Sequence, residues 1–326
     1  MNIETINEKS VPDLTRGYLI CLVGTIVWST TGVFIRYLTE IYHLPPLILA
    51  FWRDFFVALA LFLFIASRFP ERLSLDRKHI PFIIFFGIEL SLFNSLWTIS
   101  VALNGAAVAT VLAYSSAAFT AVLGWRLFSE DLGTLKIIAI TFSMVGCVFV
   151  SGAYDYAAWQ LNTLGIITGL LSGLAFAGYS LMGKAASKRS IYPWTTMLYS
   201  FTFAVPFLFV YNLFFKYLPT GVASPDLFWL GNAWSGWIIL IVLAVGPTVG
   251  GYGLYTLSLS YLPASVANLI ATLEPAITAV LAYFILNEIF TIPQWMGGIL
   301  IIFGVIILRL SEGNHANRKI SFKGQP

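Results

Sequence analysis

The chain has 326 residues, of which 58% are hydrophobic, 16% aromatic and 10% charged, with a mean hydropathy of +0.84 and a formal charge of +3. Soluble domains carry roughly 25% charged residues, so this sequence cannot coat a soluble surface. A soluble enzyme, a disordered chain and a nucleic-acid binder are excluded, and a membrane-embedded chain fits.

A spanning helix needs about 20 consecutive, mostly apolar residues. Residues 1–16 mix acid and base and read as a tail. Ten apolar runs follow, predicting spans over 17–38, 47–67, 80–103, 106–128, 135–152, 164–184, 193–215, 237–262, 264–286 and 293–310, with 311–326 as a second tail. The first run is long and reads as an uncleaved span, not as a signal peptide. No alternation of short strands marks a closed barrel. The expected fold class is therefore an all-α integral membrane protein with ten transmembrane helices. Cys21 and Cys147 lie inside apolar runs and read as small buried hydrophobes, since two such thiols make neither a disulfide scaffold nor a zinc cluster. His43, His79 and His315 fall outside the runs, which argues against a histidine metal site or histidine chemistry in the membrane.

Lys and Arg in the loops set the orientation. One side collects Lys9, Arg16, Arg68, Arg72, Arg77, Lys78, Arg126, Lys136, Lys184, Lys188, Arg189, Arg309, Arg318, Lys319 and Lys323. The other side has Arg36 and Lys216. Both termini are expected in the cytoplasm.

The chain also repeats itself. In the fourth and ninth runs Glu130 matches Glu288 at an offset of 158, and Thr120, Ala121, Val122 and Leu123 match Thr278, Ala279, Val280 and Leu281 without a gap. Gly146 matches Gly304 at the same offset. Nearer the start the offset is 148: Gly17 matches Gly165, Arg36 matches Lys184, and Pro45 matches Pro193. Residues 17–152 and 153–310 are thus read as two repeats of five spans each. Five is odd, so the second copy enters the membrane upside down, and inverted repeats place a substrate site near mid-membrane at their interface.

Runs four and five, and nine and ten, resemble the EamA-type module of the drug/metabolite transporter superfamily. The ninth run reads LEPAITAVLAYFILNE, similar to that family's apolar-Glu-Pro stretch ending in Glu, and Gly297, Gly298 and Gly304-Val305 resemble its following glycines. Arg53 matches the family's arginine in the second span. Ser116-Ala117 stands where the first repeat would carry Glu-Pro, and Phe201 stands where the second would carry an arginine. The resemblance implies a secondary transporter and favours export of metabolites or amino acids.

Charges inside a bilayer are costly and mark function by default. Arg53, Asp54, Glu89 and Glu274 qualify. Glu274 lies ten residues beyond Ala264 and Glu89 nine beyond Ile80, or about 15 and 14 Å into a core about 30 Å thick. Both are candidate proton carriers or substrate ligands; the alternative for each is a hydrogen bond to a neighbouring helix. Ala271, Glu274 and Thr278 fall on one helix face, as do Ala113, Ser116 and Thr120. The two stripes either wall a cavity or pack helices closely. Arg53 and Asp54 are about 100° apart around a helix and are not expected to face each other. Arg53 could snorkel outward, pair with Glu89 or bind an anionic substrate group, with structural pairing the preferred reading, and Asp54 reads as part of a local polar network.

Glu89, Phe93 and Trp97 share a face with Asn94 beside it, and Tyr252 and Tyr255 match Asn94 and Trp97 at the 158 offset. They are read as walls of an amphipathic pocket for a flat or amino-acid-sized solute. Trp28, Tyr114 and Tyr179 lie within other runs. Gly165, Gly169 and Gly173, and Gly246 and Gly250, recur every fourth residue and read as helix-packing positions, while Gly246-Pro247 and Glu274-Pro275 are soft points that could hinge a rocking motion. Glu130 and Glu288 end their helices, where the dipole disfavours an anion. They read as structural anchors, with Arg126 offsetting Glu130.

No phosphate-binding loop or nucleophile motif occurs in the sequence, so transport driven by ATP within this chain is not expected, nor is a cofactor or a bound metal. The expected activity is secondary transport of a small organic metabolite by alternating access, with proton coupling through Glu274 or Glu89. An uncoupled facilitator or exchanger is the alternative in the same class. An intramembrane enzyme, which would need a polar cluster at one interface, and a membrane scaffold are remote alternatives. The expected partners are the solute, membrane lipid and protons, with no nucleic acid. Nothing in the sequence sets an oligomeric state.

Overall fold

The computed structural model describes residues 14–155, 163–215, 223–224, 226–286 and 291–323. These residues form α1 (Leu14–Ser29), α2 (Thr31–Ile41), α3 (Pro46–Arg68), α4 (Ile80–Tyr114), α5 (Ser116–Phe128), α6 (Thr134–Ser151), α7 (Thr163–Lys188), α8 (Pro193–Phe215), α9 (Trp234–Leu243), α10 (Val249–Ser258), α11 (Ala264–Ala271), α12 (Glu274–Leu286) and α13 (Ile292–Lys323), with no strand among them. A π-helical turn, Ala244–Thr248, joins α9 to α10. Eight described segments are long and apolar enough to cross a bilayer. The expected ninth span is interrupted between α11 and α12, and the apolar part of the tenth, Ile292–Leu308, falls short of that length. The expected C-terminal tail is helical through Lys323, for no proline stops α13.

Helix α4 is assigned helical straight through the predicted boundary at 103–106, yet it doubles back. A Cβ placed on Gly169 would sit 2.7 Å from Ser100 Oγ and 2.9 Å from Leu112 Cβ. Twelve residues of straight helix rise about 18 Å, so Ser100 and Leu112 reach the same glycine only if the chain reverses between them. Two antiparallel spans result, as the sequence predicted.

Each break in a predicted span has a local cause. Pro275 cannot donate a backbone hydrogen bond and its ring clashes with the carbonyl four residues back; that residue is Ala271, where α11 ends. Pro247 likewise frees the Leu243 carbonyl, and the Thr248 hydroxyl supplies the missing donor at 2.9 Å. In α1 the hydroxyls of Thr25, Ser29 and Thr30 bond back to the carbonyls of Cys21, Thr25 and Val27. Such back-bonding bends helices, and the helix breaks at Thr30. At Ser115, between α4 and α5, the side chain bonds back to Leu112 O at 2.6 Å.

One large apolar core joins α1, α3, α4, α7, α8, α10 and α11. A smaller core of Leu38, Ile48, Leu240 and Leu243 joins α2, α3 and α9, beyond the α1 break and the π turn. Phe62, Leu127, Phe214 and Ile299 point outward, as residues facing acyl chains do. Helices α6 and α13 pack through glycine. A Cβ on Gly146 would lie 2.6 Å from Ile301 Cγ1 and 2.7 Å from Gly297 O, and one on Gly304 would lie 2.7 Å from Ala139 O and 2.6 Å from Ser143 Oγ. Ala139 and Ser143 are the 158-offset mates of Gly297 and Ile301. The contact is therefore reciprocal, and the two helices run antiparallel. Gly165, Gly169 and Gly173 lie where α7 meets both arms of α4. Gly246 is different: among the described residues nothing lies within 4 Å of its Cβ position, so no described helix packs on it there.

Candidate functional site

The breaks in the fourth and ninth predicted spans coincide under the repeat. Ser115 and Leu273 differ by 158, and so do Ser116 and Glu274, the first residues of α5 and α12. A short turn lies inside each of the expected stripes, between Ala271 and Glu274 and between Ala113 and Ser116. Around the breaks the polar side chains link helices. Ser116 Oγ donates to Asn268 Oδ1 at 2.9 Å, Asn268 Nδ2 donates to Ser180 Oγ at 3.0 Å, and Ser180 Oγ meets Tyr255 OH at 2.7 Å. That chain runs from α5 through α11 and α7 to α10. Tyr114 OH donates to Glu274 Oε2. Thr278 Oγ1 donates to Ser29 O at 3.0 Å, satisfying a carbonyl freed by the α1 break.

Glu89 is in a different condition. Both of its carboxylate oxygens are buried, and among the described residues neither has a hydrogen-bond partner. Oε1 lies 3.1 Å from where a Cβ of Gly178 would stand, close to the Tyr179 N–H but without acceptable hydrogen-bond geometry. A buried polar group of this kind calls for an explanation.

Arg53 does not pair with Glu89. Its Nε donates to Asp54 Oδ1 at 3.1 Å and its Nη2 to Asn94 Oδ1 at 2.8 Å, while Asn94 Nδ2 donates to Asp54 Oδ2 at 2.7 Å. The helical angle between neighbours separates their Cβ atoms, but the long arginine side chain curls back and Asn94 closes the ring. Asp54 is fully buried and Arg53 is 5% exposed. Asn94 thus belongs to an ion-pair triad and not to a free pocket wall.

The predicted aromatics converge. Tyr252 lies 4.4 Å from Trp28 and 5.6 Å from Tyr179 between ring centroids, and Tyr255 packs on Trp28, Phe176 and Tyr179 at 5.9–6.3 Å. Phe93 stacks on Phe176 at 5.0 Å, and Phe201 meets Tyr252 edge-on at 5.7 Å. Trp97 is half-buried against the same core. In this conformation the rings fill one another's space where an open pocket was expected. Cys21 and Cys147 are buried free thiols beside the carbonyls of Ala267 and Thr272. Asn268 and Ser180 are not among the residues singled out from the sequence, although an asparagine inside an apolar run carries the same signal as a carboxyl there.

Glu130 reaches out of its own helix end to the start of α11, where Oε1 accepts Ala264 N at 2.7 Å and Oε2 accepts Ser265 N at 3.2 Å and the Ser265 hydroxyl. There the dipole favours an anion. Gly124 leaves the room: a Cβ on it would sit 2.7 Å from Glu130 Oε2. Glu288 lies outside the described residues. Loss of such a cap costs about 0.5–2 kcal/mol. Glu130→Ala is therefore expected to lower the unfolding temperature in detergent by several degrees, and an unchanged temperature counts against the cap. Among the described residues no group of three or more His, Cys, Asp or Glu is placed to hold a metal ion.

The EamA-like transporter family model matches this chain over residues 15–152 and again over 163–310. A probable amino-acid metabolite efflux pump of Escherichia coli is 26% identical over 89% of this chain and 93% of its own. An uncharacterized inner membrane transporter of Salmonella typhimurium is 23% identical over 92% and 97%. An uncharacterized transporter of Bacillus subtilis is 24% identical over 89% and 92%. A protein of known crystal structure superposes with a TM-score of 0.72 at 16% identity, over 91% of this chain and 98% of that one, a likeness of fold.

Proposed function

This chain belongs to the EamA-like transporter family and is a membrane transporter of the drug/metabolite type, not an enzyme; from that premise we propose that it exports a small amino-acid-like metabolite by alternating access between two inverted five-span repeats, ten spans in all. The observation that carries the mechanism is the pair of helix breaks at Ser115 and Leu273, related by the repeat offset and lying within the fourth and ninth predicted spans. Secondary transporters build midplane sites from discontinuous helices of this kind. The reciprocal antiparallel contact of Gly146 and Gly304 supports the inversion, since equivalent helices of parallel repeats would run the same way. Residues 17–152 and 153–310 are the two repeats in this reading.

The substrate cavity opens between the aromatic cluster of Trp28, Tyr252 and Tyr255, the Ser116–Asn268–Ser180 chain, and the carboxyls of Glu89 and Glu274. The rings then part where they now touch. Tyr and Trp suit a solute with both apolar and polar faces, and the printed function of the Escherichia coli relative agrees with an amino-acid-like cargo. Protons drive accumulation through Glu89 or Glu274; Arg53, Glu130 and Glu288 hold the frame. In this reading the Lys and Arg asymmetry orients both termini toward the cytoplasm, and the chain sits in a bacterial inner membrane, as the name of the Salmonella typhimurium relative says of that protein. A cysteine replacing Asp155 should then be labelled from outside intact cells and one replacing Arg77 should not; the reverse pattern overturns the orientation. The function itself is tested by counterflow of labelled amino acids and their metabolites into liposomes holding the purified protein. Counterflow with no response to a pH gradient selects the uncoupled exchanger, and none with any such solute rejects the cargo class.

A further inference from the structure

An apolar groove of about 300 Å³ opens on the outer surface, away from the aromatic cluster. The last turns of α3, through Ala60, Phe64 and Phe69, form one wall; Trp194 at the start of α8 and Val245 and Val249 at the π turn form the other. Phe64, Phe69 and Val245 are exposed, so the groove faces lipid. Its far end is positively charged. Arg68 ends α3, and the Arg72 guanidinium stands 4.7 Å above the ring of Tyr192, itself a lining residue. Arg72 is held there: Thr195 Oγ1 donates to Arg72 O at 2.8 Å, and Tyr199 OH donates to Leu73 O at 2.6 Å, pinning this short turn to α8. Glu71 lies 4.0 Å from Arg72 with both side chains more than half exposed, a pair that solvent screens.

We propose that this groove is a binding site for a phospholipid with an anionic headgroup, one acyl chain lying along Ala60 to Phe69 and the phosphate meeting Arg68 and Arg72. From Ala60 to Arg68 the wall runs about 12 Å along the helix, and it ends where the apolar stretch of α3 gives way to charge, the depth at which a headgroup sits. Ordinary lipid contact is with convex helix surfaces; here a concave apolar slot adjoins two arginines, the backbone of Arg72 being pinned to α8. The acyl chain would rest against the Val245–Val249 edge of the π turn that joins α9 to α10.

The purified full-length protein in detergent is titrated with phosphatidylglycerol or phosphatidylcholine carrying dibrominated acyl chains, and quenching of Trp194 is read as the part lost in Trp194→Phe. Phosphatidylglycerol should quench at concentrations lower by on the order of fivefold per arginine, the electrostatic contribution of a basic residue near an anionic lipid. Arg68→Gln with Arg72→Gln, both surface changes, should erase the preference while leaving tail quenching. Ala60→Trp should remove the Trp194 quenching by both lipids. Equal quenching by the two lipids in the native chain, or a preference that survives the arginine changes, overturns the proposal. Displacement of phosphatidylglycerol by glycerol phosphate at similar concentration also overturns it, because the site would then be one for free anions.

Discussion

Asp54→Ala unfolds more easily than the native chain by about 3–5 kcal/mol, the cost of leaving one member of a buried ion pair without the other. Arg53 is 5% exposed and Asp54 fully buried, and their charges are joined by hydrogen bonds of 3.1, 2.8 and 2.7 Å that also use both polar ends of Asn94. Removing the carboxylate strands a guanidinium in the helix bundle and frees an amide donor as well. Changing Arg53→Met and Asp54→Leu together removes both charges but also takes away the Arg53 donor and the Asp54 acceptor that Asn94 uses, and a buried amide stripped of those bonds is costly. The triple change with Asn94→Leu should restore most of the loss, since well-packed apolar replacements of a buried pair are often neutral or better. Unfolding in mixed detergent micelles, followed by tryptophan fluorescence, ranks the three. Asp54→Ala equal to the native chain would show that water reaches the triad. A triple variant that folds yet no longer transports would give Arg53, Asp54 or Asn94 a part in transport that packing does not require.

The membrane class, most span boundaries and the repeat offsets were legible in the sequence because each depends on patterns along the chain. Pro193–Phe215 is α8 to the residue. What was not legible depends on pairs of helices or on single backbone groups. Pro275 announced the break after Ala271, but its repeat mate at Ser115 has no proline, only serines whose hydroxyls compete for the backbone. The wheel that separated Arg53 from Asp54 treats side chains as short, and a guanidinium several bonds from its Cα escapes that geometry. Glu130 was seen as an anion at the wrong helix end; its true neighbour is the start of α11, 134 residues away in sequence. The cluster of Trp28, Phe176, Tyr179, Tyr252 and Tyr255 was partly foreseen from matched positions, but its closed state was not, because rings that line a cavity and rings that fill it carry the same pattern.

Glu89→Gln is expected to abolish accumulation driven by a pH gradient while leaving substrate exchange intact. Glu89 and Glu274 sit at similar estimated depth, and neither has a carboxyl as repeat mate: Pro247 matches Glu89 and Ser116 matches Glu274. The structure separates the two. Glu274 accepts a hydrogen bond from Tyr114, which gives it a structural role whether or not it titrates. Glu89 has both oxygens buried with no partner among the described residues, and a bare charge in that place is costly. A carboxyl with nothing to hold is the better carrier, because gaining and losing a proton breaks no contact of the frame. Glutamine keeps the shape and cannot titrate. In liposomes with an imposed pH gradient, Glu89→Gln should hold no more substrate than the outside concentration, yet still exchange labelled for unlabelled solute, because glutamine keeps the shape of the side chain. Glu274→Gln should keep part of the coupling but lose stability by about 1 kcal/mol as the Tyr114 bond weakens. If Glu89→Gln still concentrates substrate with normal pH dependence and Glu274→Gln does not, the carrier is Glu274 and Tyr114 is its proton partner. If both still concentrate substrate, protons do not pass through either residue, and the buried carboxyls are part of the packing alone.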